Sequence, residues 1–137
     1  MTLSLVAGAD GAFGVVISSS SPAVASRCAH LRAGVGAVAS QNVTNPALGA
    51  LALDALESGA SAADAIAAAL ATDGYADYRQ VTAVDAGGRV AVHSGSQALG
   101  VHGESVGDGC VAAGNLLDND GVLDAMVDGY SVAAGAL

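Results

Sequence analysis

Small side chains limit the folds that this chain can adopt. Aromatic residues make up 3% of the 137-residue sequence and Trp is absent, although 53% of the residues are hydrophobic. The core must therefore consist of Ala, Val, Leu and Ile, with Gly where backbones approach closely. A core of this kind packs thin layers, and the length suits one compact domain over residues 1–137.

The charge balance excludes several classes of partner. Four basic and 13 acidic residues give a net charge of -9, which argues against binding to nucleic acid or to an anionic membrane surface. All four basic residues are Arg, and Asp far outnumbers Glu. This profile predicts a halophilic protein whose surface carboxylates hold water and cations at high salt. A GC-rich genome is the alternative explanation for the same composition.

Cysteine usage and the first residues predict a cytoplasmic protein. Cys28 and Cys110 lie in apolar surroundings without metal-ligand spacing, which is typical of reduced core residues, with a disulfide as the alternative. The sequence begins without the basic segment and the long apolar run of a signal peptide. The longest uncharged stretch, Ala33 to Leu53, contains Asn, Gln and Pro residues, which argues against a membrane span.

Hydrophobic periodicity predicts both extended and helical segments. Alternation with a period of two indicates a strand over residues 2–7. Turn residues and runs of small or β-branched side chains indicate further strands over residues 12–18, 34–41, 78–84, 89–93, 101–106 and 110–113. Helical spacing and capping residues, among them Ser61 with Asp64, indicate helices over residues 23–30, 45–57, 61–70 and 119–127. Helices grouped around antiparallel hairpins predict an α+β layered domain rather than a wound parallel sheet.

Four blocks of the sequence, in order along the chain, carry a family resemblance. They are TLSLVA at residues 2–7, SSSSPAVASRCAHLRAGVGAVASQN at 18–42, YRQVT at 78–82 leading to HSG at 93–95, and VAAGNLL at 111–117. Together these blocks resemble the domain-of-unknown-function family numbered 1028. Its members are described as similar to the N-terminal-nucleophile hydrolases, which implies an αββα four-layer sandwich and hydrolysis of amide bonds. Family members continue beyond the position of Leu137, so this chain is expected to lack the C-terminal part of the family domain.

The resemblance gives Thr2 the role of nucleophile. In that superfamily the first residue of the mature chain attacks a carbonyl carbon, and its own α-amine acts as the base. A small second residue permits the removal of Met1, and an α-amine with a pKa of about 8 is partly neutral at neutral pH. A retained Met1 would block the amine. The alternative is that Thr2 simply begins a strand, as in many proteins that start with Met-Thr.

Side-chain amides near predicted strand ends are candidates for oxyanion stabilisation or substrate binding. Asn115, Asn42 and Gln41 have the donors that this role requires, although Asn and Gln in such places also cap turns and helices. Ser19 and Ser20 belong to a hydroxyl-rich loop that would contact a polar ligand, with helix capping as the alternative.

Charged and titratable residues on the second hairpin supply further candidates. Arg79 and Gln80 begin an apolar strand, where Arg79 would clamp a substrate carboxylate or else pair with Asp77 or Asp85. His93 ends the next strand, where it would transfer a proton in catalysis or pack as a structural residue.

The resemblance implies a hydrolase of a small-molecule amide or cyclic amide bond, and the candidate catalytic residues are Thr2, Asn115 and His93. No metal-ligand spacing and no phosphate-binding glycine motif occurs, so neither a metal nor a cofactor is expected. A homo-oligomer is expected. The alternative function is a non-catalytic metabolite-binding or oligomeric scaffold domain.

Overall fold

In the computed structural model, which describes residues 1–133 and 137, eight strands and four helices follow one another along the chain. The strands are β1 (Thr2–Ala9), β2 (Ala12–Ser19), β3 (Ala29–Arg32), β4 (Gly36–Asn42), β5 (Arg79–Asp85), β6 (Val90–Ser94), β7 (Val101–Gly107) and β8 (Cys110–Leu117). The helices are α1 (Ala25–Cys28), α2 (Ala47–Glu57), α3 (Ala62–Leu70) and α4 (Gly121–Val132). A single 3-10 turn, Ala76–Tyr78, precedes β5.

The strands form two antiparallel sheets of four strands each. The first sheet has the order β2-β1-β8-β7 and the second has the order β3-β4-β5-β6. Strand β1 is therefore an interior strand, paired on one side with β2 and on the other with β8. None of the helices in the described part of the chain has the length and apolar character needed to cross a membrane.

Three apolar clusters separate four layers. One lies between the second sheet and helices α2 and α3, and another lies between the first sheet and α4. The third fills the space between the two sheets and consists of Val6, Ala37, Ala39, Val84 and Val111, with Phe13, Val15, Val90 and Val92 at its margin. The layers are thus helix, sheet, sheet and helix, which confirms the predicted α+β class and layered arrangement.

The layers are thin because small residues stand where they touch. A Cβ atom added to Gly49 of α2 would lie 2.0 Å from the imidazole of His30 on β3, so only glycine allows this helix to rest on that strand. The predicted cap of α3 is also confirmed. The hydroxyl of Ser61 accepts a hydrogen bond from the backbone N–H of Asp64 at 3.2 Å and donates one to its carboxylate at 2.6 Å.

The predicted helix over residues 23–30 is wrong in its extent. Helix α1 covers only Ala25–Cys28, and the residues from Ala29 to Arg32 form β3, which pairs with β4. Gly34, with a φ of 73°, supplies the left-handed conformation in the turn between them. Long-range pairing thus overrides the local helical preference of an Ala-rich segment.

Candidate functional site

At the end of the sandwich where β1 begins, the space between the sheets is polar. Thr2 stands opposite Ser19 of β2 and opposite Asn115 of β8. Across the space, Gln41 of β4 and Gln80 of β5 are direct partners in the second sheet. We call these five residues the polar cluster. Five strands supply these residues, because cross-strand partners in an antiparallel pair project to the same face.

Gln80 lies at the centre of the hydrogen bonds in the polar cluster, and its side chain is fully buried. Its Oε1 accepts from Gln41 Nε2 at 2.8 Å and from Asn115 Nδ2 at 3.2 Å. Its Nε2 donates to Ser94 Oγ at 3.0 Å and to backbone carbonyls of β8 and β7 at 3.1 and 3.2 Å. A single amide thereby ties the two sheets together.

A carboxylate fixes the direction of this amide. Glu104 of β7 accepts a hydrogen bond from Ser94 Oγ at 2.7 Å. An ionised carboxylate can only accept, so the Ser94 hydroxyl donates to Glu104 and uses a lone pair to accept from Gln80 Nε2. The atom of the Gln80 amide that points toward Gln41 and Asn115 is then the carbonyl oxygen Oε1. Asn115 therefore donates an N–H to it. The second N–H of Asn115 has no hydrogen-bond partner among the described residues.

Three buried polar atoms, one in the polar cluster and two beside it, have no hydrogen-bond partner in the part of the chain that the structure describes. They are Ser4 Oγ, Gln41 Oε1 and Thr82 Oγ1. Ser4 lies two residues along β1 from Thr2, and Thr82 lies two residues along β5 from Gln80, so all three belong to the same region. An unsatisfied buried polar group costs about 1 to 3 kcal/mol. Such groups usually bind an ordered water or a ligand.

The hydroxyl of Thr2 lies 2.8 Å from that of Ser19. The serine loop also holds Met1, because Ser19 Oγ and Ser20 Oγ both donate to the Met1 carbonyl, at 3.2 and 3.3 Å. The α-amine of Met1 donates to Ser20 Oγ at 3.2 Å. While Met1 is present, the nitrogen of Thr2 is part of a peptide bond. Ser19 and Ser20 then form hydrogen bonds to Met1 rather than to a ligand.

Comparison with known proteins gives this chain a family. Residues 2–137 match a family described as a family of unknown function, DUF1028. The chain belongs to this family. A crystal structure of a DUF1028 protein from Silicibacter pomeroyi is similar, with a TM-score of 0.93 and 27% sequence identity. The likeness covers 98% of this chain and 64% of that one, so the chain spans less than two thirds of that protein's length. No curated protein matches.

These comparisons confirm the DUF1028 resemblance of the four sequence blocks, whereas the likeness to N-terminal-nucleophile hydrolases stays a prediction. All four blocks supply members of the polar cluster: Thr2 from the first, Ser19 and Gln41 from the second, Gln80 from the third and Asn115 from the fourth. Ser94 also lies in the third block, but sequence reasoning singled out its neighbour His93 instead. Glu104 was missed because it lies in none of the blocks. It lies on a strand of mostly exposed residues, and nothing in the local sequence singles it out.

Four of the predicted site residues in this DUF1028 chain lie outside the polar cluster: Ser20, which contacts Met1, and His93, Asn42 and Arg79. His93 is the strand partner of Val81, which packs against the helices, so its imidazole lies on the outer face of the second sheet. There its Nε2 is 3.0 Å from the Ala76 carbonyl. Asn42 bonds to the backbone, donating to the Tyr78 carbonyl at 2.6 Å and accepting from the Leu99 N–H at 3.2 Å.

Arg79 also lies on the outer face, where it forms a buried ion pair with Asp73. Its Nε donates to Asp73 Oδ2 at 2.8 Å, and its guanidinium also donates to the Val43 carbonyl. The predicted pairing of Arg79 with Asp77 or Asp85 is therefore wrong. The cause is the alternation of β5, which directs Arg79 beneath the loop after α3. With its charge already paired, Arg79 lies in a structural position.

This ion pair makes stability depend on acid pH. The hydrogen-bonded guanidinium of Arg79, helped by Asn45 and by the backbone N–H of Tyr75, lowers the pKa of Asp73 from 3.8 to about 2. Since the folded chain holds the lower pKa, the pair stabilises the fold above about pH 4, and this contribution is lost as the pH falls toward 2. We expect the Asp73→Asn variant to show a smaller decrease in unfolding free energy between pH 4 and pH 2 than the unaltered chain.

Chemical denaturation at a series of pH values measures this difference. Asp54→Asn is the matched control, because Asp54 pairs with Arg32 at an exposed site where ion pairs contribute little. If Asp73→Asn and Asp54→Asn flatten the pH dependence equally, the assignment to the buried pair is wrong.

Proposed function

We propose that this DUF1028 chain hydrolyses an amide or cyclic amide bond of a small molecule, with Thr2 as the nucleophile once Met1 has been removed. The observation that carries the proposal is the polar cluster itself. It surrounds the first position of an interior strand with hydroxyl and amide groups and includes a buried acceptor, Gln41 Oε1, that no described residue satisfies. The predicted similarity to N-terminal-nucleophile hydrolases supports the same assignment.

In the proposed reaction the neutral α-amine of Thr2 takes the hydroxyl proton while Oγ1 attacks the carbonyl carbon of the amide. The C–N bond then breaks, and the departing nitrogen takes the proton from the α-ammonium group. An ester to Thr2 remains. Water attacks this ester with the α-amine again as base, which releases the carboxylic acid and restores the Thr2 hydroxyl.

Asn115 is the proposed donor to the oxyanion. It stands directly opposite Thr2 on β8, and one of its N–H groups is committed to Gln80, which fixes the amide plane. The other N–H is free to stabilise the developing charge. Preorganised donors of this kind are effective because they need no rearrangement when the charge forms.

The α-amine is the proposed base because other bases are engaged elsewhere. Lys is absent from the sequence. His93 lies on the outer face of the second sheet, His102 Nδ1 is 2.9 Å from the Gly100 carbonyl on an exposed strand, and His30 packs beside Gly49. Glu104 holds the Ser94 hydroxyl.

Removal of Met1 tests the proposal directly. A chain that begins at Thr2, released from a cleavable N-terminal tag and verified by intact mass, is compared with a chain that retains Met1. On a panel of linear amides and lactams, and with p-nitrophenyl acetate as an acylation probe, we expect turnover that is about 100-fold or more greater in the chain that begins at Thr2. Equal turnover in both forms, or turnover in neither, contradicts the proposal. The second result would leave the metabolite-binding alternative.

A further inference from the structure

Arg27 differs from the other three arginines of the chain. Those three pair with carboxylates: Arg32 with Asp54 and Glu57, Arg79 with Asp73, and Arg89 with Asp85. In the part of the chain that the structure describes, no carboxylate pairs with Arg27, although the sequence has 13 acidic residues. Because no carboxylate of the described chain neutralises the Arg27 guanidinium, its positive charge can interact with an anionic ligand.

Arg27 lies at the same end of the sandwich as Thr2. It belongs to α1, in the segment that leads from the end of β2 in the first sheet to the start of β3 in the second. Its Nη2 donates to Ser21 Oγ at 2.6 Å, and the Ser21 N–H donates to Ser19 Oγ at 3.0 Å. Ser19 Oγ is in turn 2.8 Å from Thr2 Oγ1. Two serines, Ser21 and Ser19, therefore lie between the guanidinium and the proposed nucleophile, and each is hydrogen-bonded to the next group.

The contacts of Arg27 hold its side chain without neutralising it. Besides Ser21, its Nη1 donates to the Pro22 carbonyl at 3.0 Å, so both partners are uncharged. A guanidinium has five N–H groups in a planar fork, and these contacts use only part of them. The half-buried side chain therefore has a fixed position and unused donors, which is the arrangement that binds a carboxylate bidentately.

We propose that Arg27 binds a carboxylate of the substrate, so that the chain acts on amides that also carry a carboxylate, such as N-acyl amino acids or carboxylated lactams. The proposal rests on the proposed function, since it names the substrate class of the Thr2 site. It transfers to Arg27 the carboxylate-binding role that the sequence suggested for Arg79, whose charge is already paired with Asp73. The net charge of -9 repels anions at a distance, so recognition depends on this contact.

A binding measurement tests the inference without requiring turnover. N-acetylglycine, N-acetylalanine and N-acetylglutamate are titrated against their uncharged carboxamide counterparts, using the Thr2→Ala chain without Met1. We expect the carboxylates to bind at least about tenfold more tightly, because a guanidinium makes stronger hydrogen bonds to a charged carboxylate than to a neutral carboxamide. Equal affinity for the two series, or no binding of any carboxylate, overturns the proposal.

Variants assign the preference to Arg27. Arg27→Ala should abolish the preference for carboxylates, and Arg27→Lys should restore part of it. Arg32→Ala is the matched control, since it removes the same charge from an exposed site, and it should leave the preference unchanged. If Arg27→Ala does not fold, Arg27→Gln keeps donors for Ser21 and Pro22 while removing the charge. A preference that survives in Arg27→Gln overturns the assignment.

The two proposals fail in different ways. Carboxylate preference through Arg27 without turnover of any amide would contradict the hydrolase and leave the anion site. Turnover that depends on Thr2 but has equal rates on charged and uncharged amides would support the hydrolase and contradict the carboxylate site at Arg27.

Discussion

Replacing Gln80 by Leu is expected to lower the unfolding free energy by about 3 to 5 kcal/mol. Leucine has a similar volume, so the loss comes from hydrogen bonds rather than from a cavity. Asn115 Nδ2 and two backbone carbonyls lose a partner inside the sandwich, whereas Gln41 keeps its bond to the Ala113 carbonyl at 3.0 Å and Ser94 keeps Glu104. Chemical denaturation followed by circular dichroism measures the change.

Gln97→Leu is the matched control, because the Gln97 side chain is exposed and its backbone N–H, which the substitution keeps, donates to the Asp77 carbonyl. This variant should remain within about 0.5 kcal/mol of the unaltered chain. A loss below about 1 kcal/mol in Gln80→Leu would mean that the two sheets do not depend on this amide.

In the chain that begins at position 2, Thr2→Ala is expected to reduce amide turnover by a factor on the order of 1,000 or more. Alanine is small enough to permit removal of Met1, so the variant retains the free α-amine and lacks only the hydroxyl. The hydrogen bond to Ser19 is also lost, which should cost about 0.5 to 1.5 kcal/mol of stability. Turnover and thermal unfolding are measured on the same preparation.

Two further variants complete this experiment. Thr72→Ala makes the same chemical change at an exposed position after α3 and should leave turnover unchanged. Thr2→Ser keeps a hydroxyl and should retain part of the activity. Undiminished turnover in Thr2→Ala would remove Thr2 from the mechanism.

The elements with strong local signals could be predicted from the sequence. The alternation in β1 and the Ser61 cap of α3 depend on neighbouring residues only, and both were identified correctly. Strand β3 could not be found in this way, because its four residues follow an Ala-rich turn of helix and become extended only by pairing with β4. Its existence is a consequence of tertiary structure.

The members of the polar cluster could be identified singly, but their arrangement could not. Thr2 and Asn115 are more than a hundred residues apart, and Gln41 and Gln80 are brought together only by the register of β4 and β5. The role of Gln80 as the centre of the hydrogen bonds, and that of Glu104 in fixing its direction, require both sheets. For Arg79, proximity in sequence favoured Asp77, whereas side-chain direction selects Asp73.

The position of β1 inside its sheet bears on how the proposed nucleophile is kept in place. The first residues of a domain are ordinarily its least ordered part. Here strand pairing on both sides begins at Thr2 itself, so fraying would be confined to Met1. The conformational entropy of the reacting residue is therefore lost during folding and not again when a substrate binds. A substitution that loosens the pairing of β1 with β8 is therefore expected to impair the proposed catalysis before it unfolds the chain.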